Sequence, residues 1–177
     1  MEEKEVSKLI KRYEKLNADK SQWHQHWDDL ARVMLPRRLG FASTTIEGSR
    51  TEDNFDGTPM QAARGLANAI GGILRPQGLP EVEIKAEDDA LNDTEEAKIW
   101  LGDAKKRLRN SFNNPKSRFR SASSEKDLDL VVFGTAIMFI GESQQRNHLL
   151  FQSVHLKDGV PYFNENGAPE GMFRKRR

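Results

Sequence analysis

Cysteine is absent from this 177-residue chain. That excludes disulfides, thiol catalysis and cysteine-built zinc sites. No apolar run approaches the ~20 residues that a membrane-spanning helix needs, so no membrane partner is expected. The opening Met1-Glu2-Glu3-Lys4-Glu5 is acidic and polar, unlike a secretory signal, and the chain reads as a soluble intracellular product. There is no internal repeat and no low-complexity tract. Apolar residues are also scarce: 36% of the chain, against 31% charged. That balance implies a thin core and a large solvated or partner-facing surface, yet it remains too apolar and too regular for a disordered chain. The length suits one domain of ordinary size, or one domain with a helical arm.

Catalytic patterns are missing as well. No Walker A or G-x-S-x-G sequence occurs. His24 and His26 stand two apart on a predicted helix and share no face, whereas a helical metal pair needs a spacing of three or four. Asp127 and Asp129 flank Leu128 and point to different faces, which makes them a poor carboxylate pair for acid–base work. Gly71-Gly72 falls at the end of a helix, while phosphate cradles sit at helix N-termini. The sequence therefore supplies no catalytic, cofactor-binding or metal-binding residue, and no enzyme is expected.

What is present is a run of helices followed by strands. Val6, Leu9, Ile10, Tyr13 and Leu16, then Trp23, Trp27, Leu30, Val33 and Met34, recur at helical spacing over 5–35. A break is expected at residues 17–21, with Ser21 capping the second part, and Pro36 ends the segment. Residues 36–57 read as a long loop, of the kind that is usually functional or ordered by a partner. Thr58 and Pro59 open an alanine-rich helix over 59–74. Val82 and Ile84 alternate with charges and predict a short strand at 81–86. A helix from Thr94 to about 112 is expected to bury Ile99, Trp100, Leu101, Ala104, Leu108 and Phe112. Another spans about 118–133, carrying Leu128, Leu130, Val131 and Val132, until Gly134 switches the chain to strand. Strands follow at 135–142 and 149–154, and a hairpin turns at Asn164-Glu165-Asn166-Gly167, with strands at 160–163 and 171–175. The fold class is α+β, with N-terminal helices preceding a small antiparallel sheet. The organisation reads as a helical arm (1–35), a long loop (36–57) and an α+β region (58–177).

The net charge is only +1, but it is unevenly placed. Residues 81–96 are acidic almost throughout, including Glu87, Asp88 and Asp89. Residues 98–120 are basic almost throughout, including Lys105, Lys106, Arg107 and Arg109. Such blocks steer association, although similar runs often form nothing more than a solvated helix face. Arg37-Arg38 opens the long loop, and both arginines are candidates for holding it.

Four segments, in order, resemble the portal (head-to-tail connecting) proteins of short-tailed bacteriophages, the podovirus type. They are Arg12-Tyr13 with Trp23 and Trp27 running into Leu35-Pro36-Arg37-Arg38; Phe55-Asp56-Gly57-Thr58-Pro59 with Gly71-Gly72-Ile73-Leu74-Arg75-Pro76; Trp100 to Phe112; and the stretch from Asp127-Leu128-Asp129 to Phe133-Gly134-Thr135-Ala136. Each is weak alone, and their order across nearly the whole chain is stronger. The chain departs from the family in having Gly57-Thr58-Pro59 where Ser-Thr-Ala is usual. It also has Leu79-Pro80-Glu81-Val82 where an aromatic pair is usual. It resembles about the first third of a portal subunit, chiefly the peripheral wing, and so reads as truncated at its C-terminus.

The resemblance implies a structural virion protein at the capsid's portal vertex, made in the bacterial host cytoplasm. Such a subunit joins a homo-oligomeric ring, a dodecamer at full length. The ring conducts double-stranded DNA non-specifically during packaging and ejection. Capsid and scaffold proteins, the terminase motor and tail or adaptor proteins are the implied partners. On this reading Arg37, Arg38, Glu87, Asp88, Asp89, Lys105, Lys106, Arg107 and Arg109 are the candidate subunit contacts. The runner-up is a phage accessory or scaffold-interacting α+β domain that forms no ring. A DNA-binding module, driven by the cluster at 105–109 and weakened steeply by salt, comes third.

Overall fold

A computed structural model describes residues 3–41, 56–76, 83–143 and 147–175. Helices α1 (Glu3–Ser21), α2 (His24–Met34), α3 (Thr58–Leu74), α4 (Asp89–Asn92), α5 (Glu95–Asn113) and α6 (Phe119–Phe133) come first. Strands β1 (Ile137–Glu142), β2 (Leu149–Val154), β3 (Gly159–Phe163) and β4 (Pro169–Arg174) follow. β1 pairs with β2 and β3 with β4, giving two antiparallel two-stranded sheets and an α+β architecture.

The chain forms two compact units. The first comprises residues up to Leu66, Leu128–Ile137 and Val154–Arg177; the second comprises Ala67–Asp127 and Met138–Ser153. In the first, α2 buries Trp27 and Ala31, and Phe41 packs on Trp27 and on Phe133, with ring centroids 5.3 Å away in each case. Leu35, Leu128, Val132, Leu156 and Val160 complete this core. α1 lies along the β3–β4 hairpin. Arg12 stacks 4.3 Å above the Tyr162 ring and pairs with Glu170 at 3.0 Å, and Tyr13 meets Phe173 edge-on. The hairpin turn is closed by the Asn164 side chain, which accepts from the Asn166 and Ala168 amides, while Gly167 supplies the positive φ the turn requires.

In the second unit Phe112, Phe119 and Phe151 form the aromatic centre, with centroids 4.9 to 5.5 Å apart. Ser117 is fully buried just before α6, and its hydroxyl donates to the carbonyls of Phe112 and Asn114. Those bonds satisfy carbonyls left over where α5 ends.

Several sequence expectations are corrected. The break between the first helices falls at Gln22–Trp23, and Ser21 caps nothing: its hydroxyl bonds back to the Ala18 carbonyl. Val6, Leu9, Ile10 and Trp23 are exposed despite their helical spacing. Residues 83–86 form no strand. The Ala86 amide and carbonyl instead bond the Asn92 side chain, an alternative that competes with a ladder; residues 81–82 lie outside the described ones. Of the expected loop, Pro36–Arg38 is a 3-10 turn and Phe41 is core; residues 42–55 lie outside the described ones. The expected buried stripe of α5 is half-buried at Leu101, Ala104, Leu108 and Phe112, whereas Ile99 and Trp100 are exposed. At about 100° per residue Ile99 falls opposite that inner face and Trp100 at its border.

Candidate subunit-contact surfaces and their anchors

α6 carries two aspartates that are each 1% exposed, separated by one residue and aimed apart. Asp129, in the first unit, accepts two parallel bonds from Arg38, Nε to Oδ1 at 2.9 Å and Nη2 to Oδ2 at 2.8 Å. This fork geometry is the strongest form of arginine–carboxylate contact. Asp127, in the second unit, takes Arg75 on Oδ2. The Lys126 ammonium stands 3.1 Å from Oδ1 as a charge contact without hydrogen-bond alignment. The divergence that disqualifies this pair for acid–base chemistry is what lets each carboxylate hold a separate arginine.

The turn that begins at Arg37-Arg38 is fastened further. Asp28, buried on α2, accepts the amides of Gly40 and Phe41 at 2.9 Å each. His155 bonds the Arg38 carbonyl through Nε2 at 2.9 Å and accepts the Lys157 amide on Nδ1 at 3.0 Å. Those two bonds fix the neutral ring with its proton on Nε2. Burial, chiefly, holds His155 below the ordinary histidine value; the Arg38 carbonyl bond pulls the other way. His24 is also lowered, first by burial and then by the Lys20 and Lys157 charges, against Asp28. Lys157 reaches the Gly40 carbonyl, and Lys20 donates to the carbonyls of Leu156, Lys157 and Gly159. Burial lowers the Lys20 ammonium to about 8, with Asp158 opposing.

The candidate contact residues are distributed unevenly. Arg37 is exposed, while Arg38 is half-buried and engaged within the chain. Glu87, Asp88 and Asp89 are exposed beside α4, where Asp88 also caps the helix by accepting the Ala90 amide. Lys106, Arg107 and Arg109 are exposed on α5, and Lys105 is half-buried. One groove brings Asp89 and Lys105 together with Glu83, Lys85, Asp93 and Lys98. Among the described residues, none of Glu87, Asp88, Asp89, Lys105, Lys106, Arg107 and Arg109 has an ion-pair partner in the chain. Among them, too, no cluster of three or more histidines and carboxylates is placed to hold a metal ion, and no helix is long and apolar enough to cross a membrane.

The model of the bacteriophage head to tail connecting protein family matches residues 6–177. The chain belongs to that family. A curated relative, the portal protein of Salmonella phage epsilon15, is 26% identical over 147 residues. The alignment covers 82% of this chain and 26% of the relative, so the chain spans about a quarter of that protein's length.

Several of the residues that carry the connector resemblance are fastened within the chain. Arg12-Tyr13 sits on the hairpin, Leu35 and Pro36 are buried, and Arg38 takes Asp129. Arg75, after Gly71-Gly72, takes Asp127. Gly71 leaves room for this pair: a Cβ would stand 3.0 Å from Arg75 Nη2 and 3.3 Å from Asp127 Oδ2, so the two side chains would have to shift by a few tenths of an ångström. Sequence reasoning missed Asp28, Phe41, Lys20 and His155. Phe41 had a signal, as a lone aromatic beside a glycine in a polar stretch. Lys20 and His155 are joined to residues 136 and 117 positions away, and Asp28 to amides 12 and 13 residues on, across the end of its helix; no local pattern marks them.

Proposed function

We propose that this connector-family chain serves as the wing-side part of a portal subunit. The subunit assembles into a ring at one capsid vertex, conducts double-stranded DNA in packaging and ejection, and joins capsid to tail. Capsid, scaffold, terminase motor and tail or adaptor proteins are its partners, and the energy for translocation comes from the separate motor. The carrying observation is the family match over 6–177; two of the segments that resemble the family contain the arginines, Arg38 and Arg75, that the α6 carboxylates hold. The name of the epsilon15 relative supports the same reading. Arg38 acts as a positioning residue for the turn, and Arg37 beside it stays available to a neighbour.

Native mass by light scattering tests this, at low and high salt, on this chain and on a portal polypeptide of full family length that includes it. A closed ring from the long form supports the proposal. Monomers from both, at every concentration, would overturn it in favour of an accessory domain that forms no ring.

A further inference from the structure

Phe41 is buried against two histidine rings, His155 at a centroid distance of 4.6 Å and His24 at 6.4 Å. Both rings stand where the turn over 36–41 is fastened, within the first unit. His155 links the Arg38 carbonyl to the Lys157 amide, and Lys157 reaches the Gly40 carbonyl. The bond at Nδ1 exists only while that nitrogen is an acceptor; a proton there sets one N–H against another. His24 Nε2 is buried without a hydrogen-bond partner among the described residues, so a charged ring leaves an N–H donor unmet. The charges acting on His24 are Lys20, Lys157 and Asp28, and those acting on His155 are Arg38, Lys157 and Asp158. Asp28 already accepts the Gly40 and Phe41 amides, and Asp129 already holds Arg38. Lys20, lowered to about 8, is charged wherever the rings titrate. A proton on either ring therefore adds positive charge beside three cations.

We propose that His24 and His155 form an acid-released latch: neutral, they keep the turn over 36–41 closed on Asp28 and Lys157, and protonated they let it open while the rest of the unit stays folded. The closed turn binds fewer protons than the open one, because burial, chiefly, holds both rings below their ordinary value of about 6.5. The turn is therefore fully held above that value and loosens as pH falls through it toward the lowered ones. The opening is local because the proton strikes the fastenings of the turn itself, whereas the end of α6 is kept by the burial of Leu128, Val132 and Phe133. Arg37, exposed on the same turn, moves with it.

Exchange of single amides in this chain, resolved by NMR between about pH 7.5 and 5.5, reads the latch. After correction for intrinsic exchange, the Gly40, Phe41 and Lys157 amides lose about ten-fold in protection as pH falls, while residues 130–133 of α6 keep theirs within about two-fold. His24→Gln combined with His155→Gln removes that loss. The Cε1 proton shifts of the two rings titrate below about 6.5, in step with the loss. They need no variant, so they decide the matter should the double variant not fold. An equal loss in α6 means that the whole unit unfolds, and overturns the inference. It is overturned too by a turn whose protection does not change, by a loss that survives in the double variant, or by rings that titrate at or above the ordinary value.

Discussion

Helices α2 and α5 look alike in sequence: each has a tryptophan, an apolar stripe and abundant charge. Their fates differ. α2 has 11 residues and buries Trp27, Asp28 and Ala31, while α5 has 19 and buries none. The charge on α2 that matters, Asp28, is turned inward to hold the Gly40 and Phe41 amides. On α5, Lys106, Arg107 and Arg109 are exposed and have no ion-pair partner among the described residues. Periodicity reports that a helix has a less polar face; it does not report what covers that face. In α2 the cover comes from elsewhere in the same unit, through Phe41 and Phe133. In α5 the inner face is half-covered, and Ile99 and Trp100 stay exposed.

The sharpest break of this comparison is on the α2 side. Phe41→Ala removes a ring in contact with Trp27, Phe133 and His155, and costs about 3–5 kcal/mol by urea unfolding. Asp129→Ala strands the half-buried Arg38 and costs a similar ~3–5 kcal/mol. Joint removal with Arg38→Met costs less than Asp129→Ala alone, because no unpaired charge remains. Gly71→Ala pushes a methyl against the Arg75–Asp127 pair and lowers stability by about 1–3 kcal/mol.

A smaller effect concerns pH. His24 and His155 both have folded values below the unfolded value of about 6.5, so in mild acid the unfolded chain binds more protons. Their contribution is neutral above that value, and stability falls as pH drops through it toward the lowered folded values. His24→Gln with His155→Gln flattens the slope between about pH 7.5 and 5.5, measured by denaturant midpoints. An unchanged slope would show that neither ring is held neutral. The smallest effect is on the other side of the comparison. Arg107→Ala changes monomer stability by less than about 0.5 kcal/mol, because the side chain is exposed and has no ion-pair partner among the described residues. A loss above about 1 kcal/mol would mean that α5 is already packed within the single chain.

Much of the fold was legible because its signals are local. Proline, glycine and periodicity placed α3, α6, β2 and the hairpin turn, and Gly134 marked the end of α6 through its positive φ. The short α4 was missed, and the strand proposed just before it was wrong, because Asn92 diverts the Ala86 backbone. Asp127 and Asp129 were recognised as diverging. Their role was not, since Arg75 and Arg38 lie 52 and 91 residues away. Anchors of that kind are written in three-dimensional pairings that no spacing rule reaches.

Hydrogen exchange followed over a concentration series tests most directly whether one helix is finished by its own chain and the other by a neighbour. The amides of α2 should be protected equally at all concentrations. Those of α5 should exchange faster in the dilute protein and gain protection as copies associate, with salt reversing the gain. Protection of α5 equal to that of α2 in the dilute monomer, or unchanged while particles assemble, would contradict the account.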